Sequence, residues 1–215
     1  MEVNTIYSPE IESYCKAYTK SESLILKELK SETINTVHGS IMLSDTLVIK
    51  VIQFCIHMLS AKNVLDIGTY TGYSALAMAE AVAPKGVVYS LDRTVQPSIS
   101  VAKKYFSKSN YNDIIKLILG DALDIIPNLQ VLFDLVFIDA DKMSCQDYYD
   151  IVIPKVRSGG VIIIDDCLWR SRVINPKEDK RAEALNKLNN YILEDSRVDN
   201  VLLPIRHGMN IIRKM

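Results

Sequence analysis

Residues 64–75 read VLDIGTYTGYSA, and this stretch decides the fold. Val64-Leu65-Asp66-Ile67 reads as a short strand, Gly68 and Gly72 bracket a tight turn, and Tyr73 to Val82 is an alanine-rich helical pattern. A strand feeding a helix through a glycine turn opens a parallel α/β sheet. The alternation continues downstream. Residues 86–91, 114–119, 132–138 and 160–164 read as strands, and residues 95–107, 121–129, 145–156 and 179–194 as helices. Residues 198–204 and 209–213, joined at His207-Gly208, read as a closing hairpin. The expected fold is α/β, a mostly parallel seven-stranded sheet with helices on both faces and a C-terminal antiparallel hairpin. Upstream, residues 8–35 read as one or two helices rich in polar positions. Residues 45–60 carry Val48, Ile49, Val51, Ile52, Cys55 and Leu59, a broad apolar helical face. One domain over 1–215 is expected, with an N-terminal helical segment (1–43) and an α/β core (44–215).

A chain of 215 residues that is 48% hydrophobic can bury a core, which excludes disorder as its main state. With 25 basic against 26 acidic residues, charge gives no support for nucleic-acid binding. Lys103-Lys104 and Arg170 to Arg172 are too short to change that. Cys15, Cys55, Cys145 and Cys167 are scattered without a C-x-x-C pair, which argues against a cysteine zinc site. The start MEVNTIYSPE has neither the basic residues nor the apolar run of a signal peptide. Runs such as Val161 to Ile164 are too short to span a bilayer. These features predict a cytoplasmic protein with reduced thiols and no membrane or nucleic-acid partner.

In doubly wound sheets, ligands bind beyond the carboxyl ends of the strands. Gly68 and Gly72 flank three residues, so the close-approach glycine of a G-x-G-x-x-G dinucleotide turn is missing. Asp66, at the end of the first strand, would repel a pyrophosphate but attract the ammonium of a methionine moiety. Charge therefore favours S-adenosylmethionine over a nicotinamide dinucleotide. Asp92 ends the next strand, where a carboxylate can hold a ribose diol. Gly120-Asp121-Ala122 ends the third, where a purine edge could be read. Each acid could be a solvated loop residue, but three signals at successive strand ends form a constellation.

The fourth and fifth strands end in Asp139-Ala140-Asp141-Lys142 and Asp165-Asp166. Carboxylates converging there would be costly as bare charges, and a hard divalent cation would relieve them. Strand-end acids that simply face water are the alternative. Beside a dication the Lys142 ammonium would be disfavoured by like charge.

With those residues in place, VLDIGTYTGYSA, FIDADK (137–142) and IIIDDCLW (162–169) together resemble the cation-dependent catechol and caffeoyl-CoA O-methyltransferase family. The likeness begins near Ile41-Met42-Leu43-Ser44 and runs through LLPIRHGMNIIRK (202–214). It implies a Rossmann-like class I methyltransferase. Ser44, Asp66, Gly68, Thr69, Ser74, Asp92, Ala122, Asp139 and Asp141 would surround S-adenosylmethionine. Asp139, Asp165 and Asp166 would bind a divalent cation, Mg²⁺ ahead of Mn²⁺ or Ca²⁺. Lys142 would be the general base, and Lys142, Asp166 and Arg170 would meet a small catechol-like aromatic acceptor. A homodimer is also implied, with the helix at 45–60 as a candidate interface.

The chain departs from the family pattern at several points. Asp166 stands where the family usually has Asn, and Asp66 where it usually has Glu. Arg206-His207-Gly208 replaces Gly-Asp-Gly, and the segment after Trp169 lacks the family's glycine. These last two changes lie near the expected acceptor pocket and argue against assuming caffeoyl-CoA as acceptor. Two other readings stay open: a metal-independent methyltransferase with another acceptor, and a non-catalytic protein that binds S-adenosylmethionine. A nicotinamide-dependent dehydrogenase comes last.

Overall fold

Side chains alternate across each central strand, and this alternation divides the core into two layers. The computed structural model describes residues 8–82, 86–93 and 97–215. Along them run α1 (Pro9–Ala17), α2 (Leu24–Thr36), α3 (Thr46–Leu59), β1 (Asn63–Ile67), α4 (Tyr73–Val82), β2 (Val87–Asp92), α5 (Pro97–Lys108) and β3 (Ile115–Leu119). There follow α6 (Ala122–Ile125), β4 (Phe133–Ile138), α7 (Cys145–Val152), β5 (Val156–Asp165), α8 (Lys180–Glu194), β6 (Val198–Leu203) and β7 (Met209–Lys214). The sheet order is β3-β2-β1-β4-β5-β7-β6. The first five strands pair in parallel, and β7 runs antiparallel to both β5 and β6.

Val64, Leu135, Phe137, Val161 and Ile163 face the layer built from α2, α3, α4 and α5. Leu65, Ile67, Val136, Ile138, Ile162 and Ile164 face the opposite layer, with α7 and α8. Burying each such aliphatic side chain stabilises the fold by about 2 kcal/mol. Strands covered on both faces must be apolar throughout, which is why the sequence reads as continuous runs there.

Several boundaries differ from the sequence reading, and the helix expected over 121–129 is α-helical only to Ile125 before a tight turn, Ile126–Asn128, that contains Pro127. The helix expected over 145–156 stops at Val152 and closes with a tight turn, Ile153–Lys155, containing Pro154. Proline has no amide to continue the helix. Strand β5 starts at Val156 rather than residue 160, because its pairing with β4 resumes across a register shift between Phe133 and Leu135. The start of the helix expected at 95 lies outside the described residues.

Asp45 caps α3 by accepting from the Leu47 amide. The helix buries Val48, Ile49, Ile52, Cys55 and Ile56 and leaves Phe54 and Met58 exposed. His57, on the same outer side, is exposed. By length and composition Ser40–Leu59 is apolar enough to cross a membrane, which the sequence reading had not singled out. Its inward face nonetheless packs against α4 and the sheet.

The strand order reverses beside β1, which lies between β2 and β4. Chains leaving the carboxyl ends of these strands diverge and open a crevice there.

Candidate functional site

The crevice is a cavity of about 620 Å³ at the carboxyl ends of β1, β2, β4 and β5. Its floor is the turn after β1. The amides of Gly68 and Thr69 both donate to the Leu91 carbonyl, at 2.9 and 3.1 Å, binding the turn to β2. Gly68 has φ +111°, and a Cβ there would lie 2.2 Å from the Asp139 carbonyl oxygen. Glycine is required because the backbones after β1 and β4 touch at this point. The Tyr70 amide donates to Asp92 Oδ2 at 2.8 Å, which fixes the β2-end carboxylate on the cavity wall.

Asp66 is fully buried and lies behind that wall rather than on it. The parallel register sets Ser90 beside it, and Ser90 Oγ donates to Asp66 Oδ2 at 2.7 Å. Ser74, one turn into α4, donates to the same carboxylate at 3.0 Å and does line the cavity. Burial pushes the Asp66 carboxyl up to about 7, although both serines oppose the shift.

Opposite this floor is a charged cluster. Lys142 is 8% exposed, and its Nζ lies 2.8 Å from Asp139 Oδ1 and 3.3 Å from Asp166 Oδ2. It also donates to the Asp165 carbonyl at 3.3 Å. Burial works against its charge, but Asp139 and Asp166 prevail and hold the ammonium well above the usual lysine range. In this arrangement Lys142 is held as an ammonium between two carboxylates, and the general-base role expected of it would require that proton to be lost first. Asp139 Oδ2 accepts from Ser44 Oγ at 3.1 Å. Asp165 is fully buried, and its Oδ1 accepts the Asp166 amide at 2.9 Å. Burial, with Asp166 and Asp139 nearby, pushes its carboxyl well up.

The turn between β6 and β7 supplies a second cation. Asp165 pairs with Met209 across the antiparallel strands, so residues 204–208 fold over the acid pair. Arg206 Nη1 lies 3.7 Å from Asp165 Oδ2, and its Nη2 donates to the Ile41 carbonyl at 3.1 Å. Next to it His207 is 4% exposed on the cavity wall, with a buried Nδ1 that has no hydrogen-bond partner among the described residues. Burial holds this imidazole below its usual value.

These residues do not fit the divalent cation expected at Asp139, Asp165 and Asp166. A hard dication takes six or more oxygens at about 2.0–2.6 Å. Two buried oxygens, Asp165 Oδ2 and Asp166 Oδ1, accept no hydrogen bond from the described residues. However, Asp165 does not reach the cavity wall, and its free oxygen faces Arg206. Both oxygens of Asp139 are taken by Lys142 and Ser44. Among the described residues no three acidic, histidine or cysteine side chains converge on one point.

Of the residues expected around a nucleoside ligand, Ser44, Gly68, Thr69, Ser74, Asp92, Ala122, Asp139 and Asp141 line the cavity. Asp141 spends its carboxylate capping the turn after β4, accepting from Met143 N and Ser144 Oγ. Arg170, expected at the acceptor, lines the mouth beside Trp169. Arg206, whose segment was expected near the acceptor pocket, lines the wall, and sequence reasoning did not place Arg181 or Tyr148 there. Arg206 was visible as a departure from the family, but its partner Asp165 lies far off in sequence. Cys145 and Cys167 are buried, with thiols pushed up by burial.

Residues 16–215 match the sequence profile of a family described as O-methyltransferase. The chain is 32% identical to the probable caffeoyl-CoA O-methyltransferase 2 of Dictyostelium discoideum, covering 100% of this chain and 95% of that one. It is 30% identical to the catechol O-methyltransferase domain-containing protein 1 of Mus musculus, over 94% of this chain and 79% of that one. The SAH-bound methyltransferase PaMTH1 of Podospora anserina superposes with a TM-score of 0.90 at 26% identity, covering 97% of each chain. With a profile spanning nearly the whole chain and relatives matched end to end, this protein belongs to the O-methyltransferase family.

Proposed function

We infer that the protein transfers the methyl group of S-adenosylmethionine to a hydroxyl oxygen of a small aromatic acceptor. One observation carries this: a single cavity joins the nucleoside-type floor (Gly68, Ser74, Asp92, Ala122) to a charged wall (Lys142, Asp166, His207). The donor supplies an electrophilic methyl on a positive sulfur. Asp92 would hold the ribose hydroxyls, and Asp66, ionised on donor binding and reached through Ser74, would favour the methionine ammonium. The fixed positive charge of Lys142 would favour negative charge as it develops on the acceptor oxygen. His207, whose imidazole burial holds below its usual value and whose Nδ1 has no hydrogen-bond partner among the described residues, would take the hydroxyl proton. Trp169 and Arg170 stand at the mouth, where an aromatic ring would enter.

The relatives' names support an acceptor of catechol or caffeoyl type. A vicinal dihydroxy acceptor chelated to a cation is the finer form of that reading, and the donor set described above does not favour it. The test is transfer from labelled S-adenosylmethionine to a panel of diphenols and monophenols, with wild type and His207→Gln. Transfer by wild type that drops about 10²-fold or more in the variant supports the reading. Tight binding of S-adenosylmethionine with transfer to no phenol would favour a non-catalytic binding protein instead.

A further inference from the structure

The acid cluster carries more fixed positive charge than a cation-binding site should. Lys142 bridges Asp139 and Asp166, with distances of 2.8 and 3.3 Å. Arg206 faces the otherwise unpartnered Oδ2 of the buried Asp165 at 3.7 Å. The guanidinium is held from two sides, since its Nη2 donates to the Ile41 carbonyl at 3.1 Å. Its side chain is only 14% exposed and still lines the cavity. It is thus anchored between the N-terminal turn and β5, aimed at the place where the acids would have to share an ion.

We propose that Arg206, seated with Lys142 among these acids, takes the place of a divalent cation in this chain. Three carboxylates face two cations there, so most of the charge that would call for a metal is already balanced. A dication entering the cluster would displace or repel both groups, because like charges at these distances oppose one another strongly in a low-dielectric site. Asp166 and Arg206 belong together in this account. A second aspartate beside Asp165 adds a negative charge, and Arg206 supplies the positive charge that offsets it.

The consequence concerns the acceptor, and it rests on the O-methyl-transfer reading above. A metal orients an acceptor through two adjacent oxygens. A guanidinium or an ammonium needs only one oxygen to donate to. An acceptor with a single phenolic hydroxyl is therefore as suitable here as a vicinal diol, and chelators leave its turnover unchanged.

Direct measurement of Mn²⁺ binding tests the cation claim without any acceptor, so its failure is separate from failure of the transfer reading. The electron paramagnetic resonance signal of free Mn²⁺ is followed as protein is added, with S-adenosylhomocysteine present. Wild type should leave the signal unchanged at about millimolar Mn²⁺. Arg206→Gly should bind one ion at least about tenfold more tightly than wild type, and Asp139→Ala in that background should abolish the binding. Should the glycine variant fail to fold by circular dichroism, Arg206→Met keeps the packed stem and removes the charge. One Mn²⁺ bound by wild type and lost in Asp139→Ala would overturn the proposal. So would folded Arg206 variants that bind no more Mn²⁺ than wild type.

Discussion

Ser90 Oγ donates to Asp66 Oδ2 at 2.7 Å, across adjacent parallel strands and beneath the cavity floor. Asp66 is fully buried, so its ionisation is costly, and its carboxyl is pushed up to about 7. An ammonium held above Ser74 would favour the ionised form, so donor binding should release a proton. Affinity for S-adenosylmethionine should fall by at least about tenfold as pH drops from about 7 to about 5. Calorimetry over that range checks this, and Asp66→Asn should flatten the dependence. A flat profile in wild type would mean that Asp66 keeps one charge state whether or not the donor is bound.

Lys142→Met leaves Asp139 and Asp166 without their shared ammonium in a largely buried setting. The expected loss is roughly 3–5 kcal/mol in urea unfolding, because uncompensated buried charge is expensive. Turnover should fall with it. An unchanged unfolding midpoint would show that water reaches both carboxylates in solution.

Gly68→Ala places a Cβ 2.2 Å from the Asp139 carbonyl oxygen at a backbone φ of +111°. Since the contact is with backbone, the turns after β1 and β4 must separate. Thermal unfolding should show a loss of more than about 2 kcal/mol, with weaker donor binding. Wild-type stability in this variant would mean that the two turns part easily.

Asp179 caps α8 and accepts from Arg172 Nη1 at 2.8 Å and from Trp169 Nε1 at 3.0 Å. Arg172 and the Ala182 amide hold its carboxyl down to about 2. A depressed carboxyl contributes stability that is present above its usual value of about 4 and lost as pH falls through about 2. The wall segment 169–174 should therefore loosen in acid. Trp169 is the single tryptophan, so its fluorescence reports the change directly. Asp179→Ala should show the acid-like signal already at neutral pH, and a signal identical to wild type would detach Trp169 from this cap.

Much of the fold was legible because two periodicities dominate the chain. Apolar runs such as Phe133–Ile138 can only be strands covered on both faces, and glycine turns such as 68–72 mark where they feed helices. Strand-end residues such as Asp92 and Asp139 were legible for the same reason: the topology of a parallel sheet puts its strand ends on one side. Local proline chemistry at Pro154 and the bulged start of β5 shifted boundaries that periodicity alone cannot fix.

The sequence by itself determined the α/β architecture, the family and the identity of the wall acids, because each follows from patterns local to one strand and its turn. Only the tertiary structure decided what those acids do. That Asp66 sits behind Ser74, that Lys142 remains an ammonium, and that Arg206 meets Asp165 all depend on burial and on pairing between distant segments. Charge in a protein is set by what surrounds it in space, and a sequence orders residues along one dimension only.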